Sequence, residues 1–246
     1  MTQLYDEIGA GYGDHRRPDL RIAAAINGAL GESQSVLNVG AGTGSYEPPD
    51  RSVLAVEPSL TMIRQRSADM APVIRASATH LPLADASFDA ALAILTIHHW
   101  PNRAAGLAEL ARVARRRIVI VTWDPAFSGF WLVDDYFPAI GAIDKEILPS
   151  PQELSLTLMA MEVHPLPVPY DCTDGFLGAY WRRPYAYLDA DVRSAISAFF
   201  RIGDIEPGLV QLRRDLESGA WERRHGHLLD LAEVDLGYRI VIGHLI

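Results

Sequence analysis

Cysteine is almost absent. Cys172 is the only one in 246 residues, so no intramolecular disulfide can form, and nothing near it has zinc-ligand spacing. That excludes a redox framework and a cysteine-based metal centre, and it suits a reducing, cytoplasmic compartment. Long apolar runs are missing as well: none approaches the roughly 18 residues of a membrane span, and the opening MTQLYDEIGAGYGDHRR lacks the basic start and apolar middle of a signal peptide. Basic charge is in deficit, with 22 Lys and Arg against 31 Asp and Glu, a formal charge of -9 and a pI near 5.3. A phosphate backbone would be repelled at long range, so neither nucleic acid nor a membrane is an expected partner. The histidines at 80, 164, 225, 227 and 244 show no metal-ligand grouping, and no metal is expected.

What the chain does have is ample material for one core, with 49% hydrophobic residues. The first half alternates short β-branched apolar runs with amphipathic stretches, the pattern of parallel strands joined by helical crossovers. Strands are expected at 36–39, 53–56, 72–76, 88–95 and 117–122, with Tyr238 to Ile242 returning as a last strand. Pro18 is read just inside a helix that carries Ile22, Ile26 and Leu30 and stops at Gly31. Ser59 is read as the cap of a second helix, and Pro101 with Asn102 as the start of a third whose Leu107, Leu110 and Val113 form an apolar stripe.

After Asp124 the texture changes to clustered aromatics, a Pro-rich HPLPVPYD from His164 to Asp171, and a charged helical stretch. The expected organisation is a core over 1–124, an inserted substrate cap with one returning strand over 125–233, and a final strand within 234–246. No internal repeat occurs.

The most informative segment is VLNVGAGTG, a buried strand running directly into Gly40, Ala41, Gly42, Thr43 and Gly44. Such a turn lets backbone N–H groups approach a ligand with no Cβ in the way, at the strand ends where ligands of open parallel sheets gather. The next strand, VLAVEPS, ends in Glu57, where an acid can accept from ribose hydroxyls; the competing reading is a charge at the start of the helix capped by Ser59. A nicotinamide site would want glycine at the sixth place of the turn, and Ser45 stands there.

These segments, with LPLADASFDAALAILTIHHW from Leu81 to Trp100 and RIVIVTW, resemble in order the motifs of the class I S-adenosylmethionine-dependent methyltransferases, specifically the methyltransferase-11-like small-molecule group, over roughly residues 5–124. The resemblance implies an α/β fold: a Rossmann-like, seven-stranded, mostly parallel sheet whose last strand is antiparallel, with helices on both faces and an inserted C-terminal cap. It implies S-adenosylmethionine as cofactor, with Gly40 and Gly42 on its methionine part, Glu57 on both ribose hydroxyls, Met62 against the adenine, and Ser77 and Ala78 at the adenine edge. Ala41, Pro58 and Leu95 complete that set, and Tyr12 resembles an aromatic that closes over the cofactor, a face able to attract the sulfonium.

Three departures from the family pattern stand out. Ser77 replaces an aspartate that accepts from the adenine amino group, and Asn38 replaces an acid near the methionine ammonium. After Gly44 only Ser45, Tyr46, Glu47, Pro48, Pro49 and Asp50 precede Arg51, and two prolines forbid a regular helix there. Tyr46 or Glu47 then either folds over the cofactor or merely caps the surface.

Methyl transfer is an in-line displacement, so the protein must align donor and acceptor and, where the acceptor carries a proton, remove it. His98 and His99, following the fourth strand, are the candidate bases. Arg16 and Arg17 read as a solvated basic pair, with the cofactor carboxylate as the alternative partner. Trp131, Tyr136, Tyr180 and Trp181 are the expected lining of a small-molecule acceptor pocket, unless they knit the cap to itself. The exposed aromatic segments leave a homodimer open. The rival to an enzyme is a non-catalytic binding or regulatory protein on the same scaffold.

Overall fold

The structure is a computed structural model that describes residues 16–155, 158 and 160–245. Tyr12 lies outside the described residues. Helix α1, Leu20–Ala29, starts one residue later than the proline suggests: Asp19 is the cap, its Oδ1 accepting from Arg21 N at 3.0 Å, so Pro18 stands outside the helix. A carboxylate at that boundary satisfies a backbone donor that proline cannot. Gly31, at φ +54°, follows the last turn as expected.

The chain then alternates as the apolar runs predict: β1 Ser35–Val39, β2 Ser52–Val56, α2 Leu60–Arg64, β3 Val73–Ile74, β4 Phe88–Ile94, α3 Arg103–Val113 and β5 Ala114–Trp123. Ser59 and Asn102 cap α2 and α3, accepting from Met62 N at 3.2 Å and Ala105 N at 3.0 Å. The expected third strand over 72–76 shortens to two residues because it is an edge strand, paired only with β2, and Ser77 already turns back to bridge His80.

The second half supplies α4 Pro138–Ile147, α5 Pro151–Ser155, β6 Ala160–Pro165, β7 Val168–Pro169, α6 Ala190–Ser194, α7 Ser197–Arg201, α8 Glu206–Glu217, α9 Ala220–His225, β8 Glu233–Val234 and β9 Tyr238–His244. The seven-stranded sheet has the order β3-β2-β1-β4-β5-β9-β6, and β9 runs antiparallel to both its neighbours. Strand β6 is the outermost strand beside β9, and its exposed residues and terminal proline mark it as an edge. β7 and β8 pair separately.

No helix fills residues 40–51; the chain is pinned there by polar bonds instead. The Glu47 carboxylate accepts from Arg66 Nη2 at 2.7 and 2.9 Å and from Ala71 N at 3.1 Å, while Arg66 Nη1 reaches Gly42 O at 3.3 Å. Both side chains of this pair are buried. The glycine turn thus rests on an ion pair where a helix would otherwise abut it.

One apolar cluster runs without a break from Ile22, Ile26 and Leu30 across Val119 and Val121 to Trp131, Trp181 and Tyr187, so the cap shares its core with one face of the sheet. The other face packs Leu107, Leu110 and Val113 of α3 against Leu37, Ala91 and Ile118. Among the described residues no helix is long and apolar enough to cross a membrane.

Candidate active site

The carboxyl ends of β1, β2 and β4 meet at a cavity of about 1020 Å³, its open mouth included. Gly40 and Ala41 donate their N–H groups to Val56 O at 2.8 and 3.1 Å, which folds the turn back onto the end of β2. Gly40 has φ +73°, and a Cβ there would stand 2.0 Å from Thr96 Oγ1. Only glycine lets the loop after β4 approach so closely.

Glu57 is buried at the next strand end, and its two oxygens are both oriented: Gly42 N donates to Oε2 and Ser59 N to Oε1, each at 2.8 Å. The Glu57 carboxylate sits at the start of α2, as the second reading has it, and also lines the cavity wall. A carboxylate held by two backbone donors keeps lone pairs for further donors from the cavity. Asn38, also buried, donates from Nδ2 to Glu47 at 3.4 Å, while its Oδ1 has no hydrogen-bond partner. Asn38 lines the same cavity as Glu57.

Gly40, Ala41, Gly42, Pro58, Met62, Ser77, Ala78 and Leu95 line the same cavity, so the structure gathers the described members of the expected cofactor set in one place. Met62 is buried beneath the turn, its Cε 3.3 Å from where a Gly42 Cβ would be. Ser77 is less available than its position suggests, because its Oγ lies 3.0 Å from Thr79 Oγ1 and accepts from Thr79 N at 3.3 Å. Leu95, at φ +48°, turns the chain out of β4.

The histidine pair divides. His99 lines this cavity, with Arg201 Nη2 3.3 Å from its Nε2; burial first, then the charge of Arg201, pushes its pKa down to about 3. His98 lines a neighbouring cavity, and its buried Nδ1 has no hydrogen-bond partner. Burial, then the charges of His99, Arg201 and Arg103, hold His98 well below the usual range.

Three sequence expectations need revising. Arg16 is not solvated: it donates to the fully buried Asp174 through Nε and, at 3.2 Å, through Nη2, and it lines both cavities, whereas Arg17 is exposed. The Tyr46 hydroxyl donates to Asp174 at 2.9 Å and accepts from Asp19 N at 3.3 Å, so this side chain ties the crossover to the cap, and Glu47 folds back onto Arg66. Trp131, Tyr136, Tyr180 and Trp181 line neither cavity. Trp131 Nε1 donates to Trp181 O at 3.0 Å, Trp181 Nε1 to Val168 O at 3.0 Å, and the Tyr136 hydroxyl to Asp215 at 2.9 Å, while Tyr180 packs edge-on against Tyr187. Trp131, Tyr136 and Trp181 are buried and Tyr180 half-buried, so these aromatics knit this region to itself.

Sequence reasoning missed Thr96, Trp100 and Pro101 in the cavity wall. For Trp100 a signal existed: Gly106 lies where a Cβ would come within 2.3 Å of the indole, and a glycine inside an otherwise regular helix marks a close approach. Among the described residues no group of three side chains suited to a metal ion occurs.

The model of the methyltransferase domain family matches residues 37–121, the stretch that builds this cavity. A protein of Anabaena variabilis, described as a methyltransferase from an antibiotic biosynthesis pathway, superposes with a TM-score of 0.86 at 34% identity, covering 94% of this chain and 99% of its own. An S-adenosylmethionine-dependent methyltransferase of Thermotoga maritima (TM-score 0.56, 17% identity, 97% and 95% covered) and the [4+2]-cyclase SpnF (0.54, 16%, 91% and 79%) share the fold. No functionally curated protein matches the chain. A near full-length likeness at that identity, on a sheet whose strand ends carry the matched motifs, shows that the chain belongs to the class I S-adenosylmethionine-dependent methyltransferase superfamily.

Proposed function

We propose that this protein uses S-adenosylmethionine to methylate an oxygen, nitrogen or carbon of a small organic molecule. One observation carries the cofactor reading: the Glu57 carboxylate, fixed by Gly42 N and Ser59 N, lines the same cavity as Asn38, whose buried Oδ1 has no partner in the protein. A nucleoside joined to an amino acid matches that pair, with ribose hydroxyls donating to Glu57 and the methionine ammonium to Asn38. Met62 and Ala78 supply the apolar walls for a base. When bound, the cofactor supplies a methyl group on a positively charged sulfur, open to in-line displacement.

The chain's own part is to hold and shelter. The turn at Gly40 and Gly42 admits the ligand close to backbone, Trp100 and Tyr46 close the walls, and the Arg16–Asp174 ion pair ties the segment before α1 to the cap beside the cavity. The acidic surface and the single buried thiol fit a small-molecule enzyme of the cytoplasm. A non-catalytic role on the same scaffold is favoured by one feature, the engagement of Ser77 Oγ within its own turn. Thermal unfolding with and without S-adenosylhomocysteine tests the cofactor reading: a Tm that climbs with ligand concentration supports it, and no shift at millimolar ligand favours the scaffold role.

A further inference from the structure

Arg16 and Leu95 are the two described residues that line both the cavity at the glycine turn and its neighbour, a cavity of about 660 Å³, its mouth included. A methyl group leaving a donor in the first cavity for an acceptor beside it would cross at that junction. Arg16 is a surprising residue to find there, because the donor's sulfur carries a positive charge and a guanidinium does not give up its own. Among the described residues that line the first cavity, it is the only one charged positively at neutral pH: the other basic group, His99, is pushed down to about 3 by burial and then by the charge of Arg201.

Asp174 answers that charge. Its carboxylate is fully buried and accepts from Arg16 Nε through Oδ1 and from Arg16 Nη2, at 3.2 Å, through Oδ2, which also takes the Tyr46 hydroxyl at 2.9 Å. The two residues pair a second time through backbone, as an isolated antiparallel bridge. Tyr46, held at φ +64°, lines the first cavity as well, so one carboxylate orients two of its wall residues. A guanidinium and a carboxylate in such contact cancel most of each other's field a few ångströms away. Both residues lie outside the stretch that the family model matches.

We propose that Asp174 is a specificity-determining residue for the methyl donor: by balancing Arg16 it lets the site hold a sulfonium, and without it the site would favour the neutral thioether product over the charged donor. The proposal rests on the methyltransferase reading above. Asp174 acts through Arg16 and is a positioning residue, not a catalytic one; neither side chain gives or takes a proton. S-adenosylmethionine and S-adenosylhomocysteine differ by one methyl group and the one positive charge on sulfur, and their carboxylate and ammonium groups are the same. The ratio of their affinities therefore reads the charge at the junction and cancels whatever the two ligands share. An uncompensated guanidinium several ångströms from a sulfonium in a partly buried site lowers that ratio about tenfold or more.

The test is calorimetric titration of the full chain with each of the two ligands at mildly alkaline pH. Asp174→Asn keeps the shape of the side chain and leaves Arg16 charged; it is expected to lower the affinity for S-adenosylmethionine relative to S-adenosylhomocysteine about tenfold. Arg16→Gln/Asp174→Asn removes both charges and should return the ratio to that of the wild type. Arg16→Gln alone leaves the carboxylate uncompensated and should move the ratio about tenfold the other way, which carries the test where Asp174→Asn does not fold. Equal loss of both ligands in Asp174→Asn, as a tie that merely holds cap to core would give, overturns the proposal, and so does an Arg16→Gln ratio equal to the wild type. If neither ligand binds the wild type, the methyltransferase reading fails and the proposal with it; binding of both with an unmoved ratio in the variants overturns the proposal alone.

Discussion

Replacing Gly40 with alanine probes the closest approach in the site. The backbone there has φ +73°, a left-handed conformation that costs an L-residue roughly 1–2 kcal/mol. The new methyl carbon would also lie 2.0 Å from Thr96 Oγ1 and 2.8 Å from Thr96 Cβ and Cγ2, so the loop after β4 must move, at a typical overpacking cost of about 1–3 kcal/mol. Together these give about 2–5 kcal/mol, a large share of the roughly 5–15 kcal/mol that holds a domain folded. Urea unfolding should show the midpoint falling by about 0.7–1.7 M at an unchanged slope near 3 kcal/mol/M. Two controls locate the effect. Thr96→Ala in the Gly40→Ala background removes Oγ1 and Cγ2 and should restore part of the loss. Gly28→Ala, in α1 with nothing within 4 Å of the added carbon, should instead stabilise by about 0.5–1 kcal/mol. A Gly40→Ala midpoint equal to the wild type would refute the reasoning, as would a loss that Thr96→Ala leaves untouched.

Three further outcomes follow from buried groups. Glu47→Gln strands the buried Arg66 and should cost about 3–5 kcal/mol in urea unfolding, with Glu47→Gln/Arg66→Met costing less than Glu47→Gln alone. Trp131→Phe removes the donor to Trp181 O and should cost about 1–3 kcal/mol while leaving S-adenosylhomocysteine affinity unchanged by calorimetry, as a cap-core residue requires. Acid should destabilise the fold through the histidines: His99, depressed from 6.5 to about 3, leaves the unfolded chain to take up the proton first, so stability is full above pH 6.5 and falls by up to about 1.4 kcal/mol per pH unit down to about pH 3. Asp144, raised from 3.8 to about 6, works the other way over pH 6 to 3.8 and offsets part of that loss. Urea midpoints of the wild type and His99→Gln, measured at mildly alkaline and mildly acid pH, check both signs, since the variant should lose less on acidification.

The sequence made the sheet legible because the part of a strand covered on both faces is dominated by apolar residues, as are Val36 and Leu37 in β1, Ala90 to Ile94 in β4 and Ile118 to Val121 in β5. Glu57 was legible for the complementary reason: an acid at the tip of such a run is costly unless something binds it. The two-proline crossover was also readable, since proline chemistry is local. What replaces the helix was not. Glu47 with Arg66, and Arg16 and Tyr46 with Asp174, are partners 19, 158 and 128 residues apart, and composition carries no mark of such pairings. The cap aromatics misled for a related reason. A clustered Trp or Tyr reads the same whether it faces a ligand or another ring, and only the fold shows Trp131 edge-on to Tyr136, Tyr187 and Trp221. Histidines adjacent in sequence likewise gave no hint that one would border each cavity.

Calorimetric titration of S-adenosylhomocysteine into the wild type and Glu57→Ala addresses the cofactor site without any need for the acceptor. The ribose hydroxyls would lose hydrogen bonds to a charged acceptor, each worth about 1.5–3 kcal/mol, so the variant should bind at least about tenfold more weakly. Tight wild-type binding with that loss is the expected result. No heat with the wild type, or equal affinity in the two proteins, would contradict the placement of an adenosyl amino acid between Gly42 and Glu57.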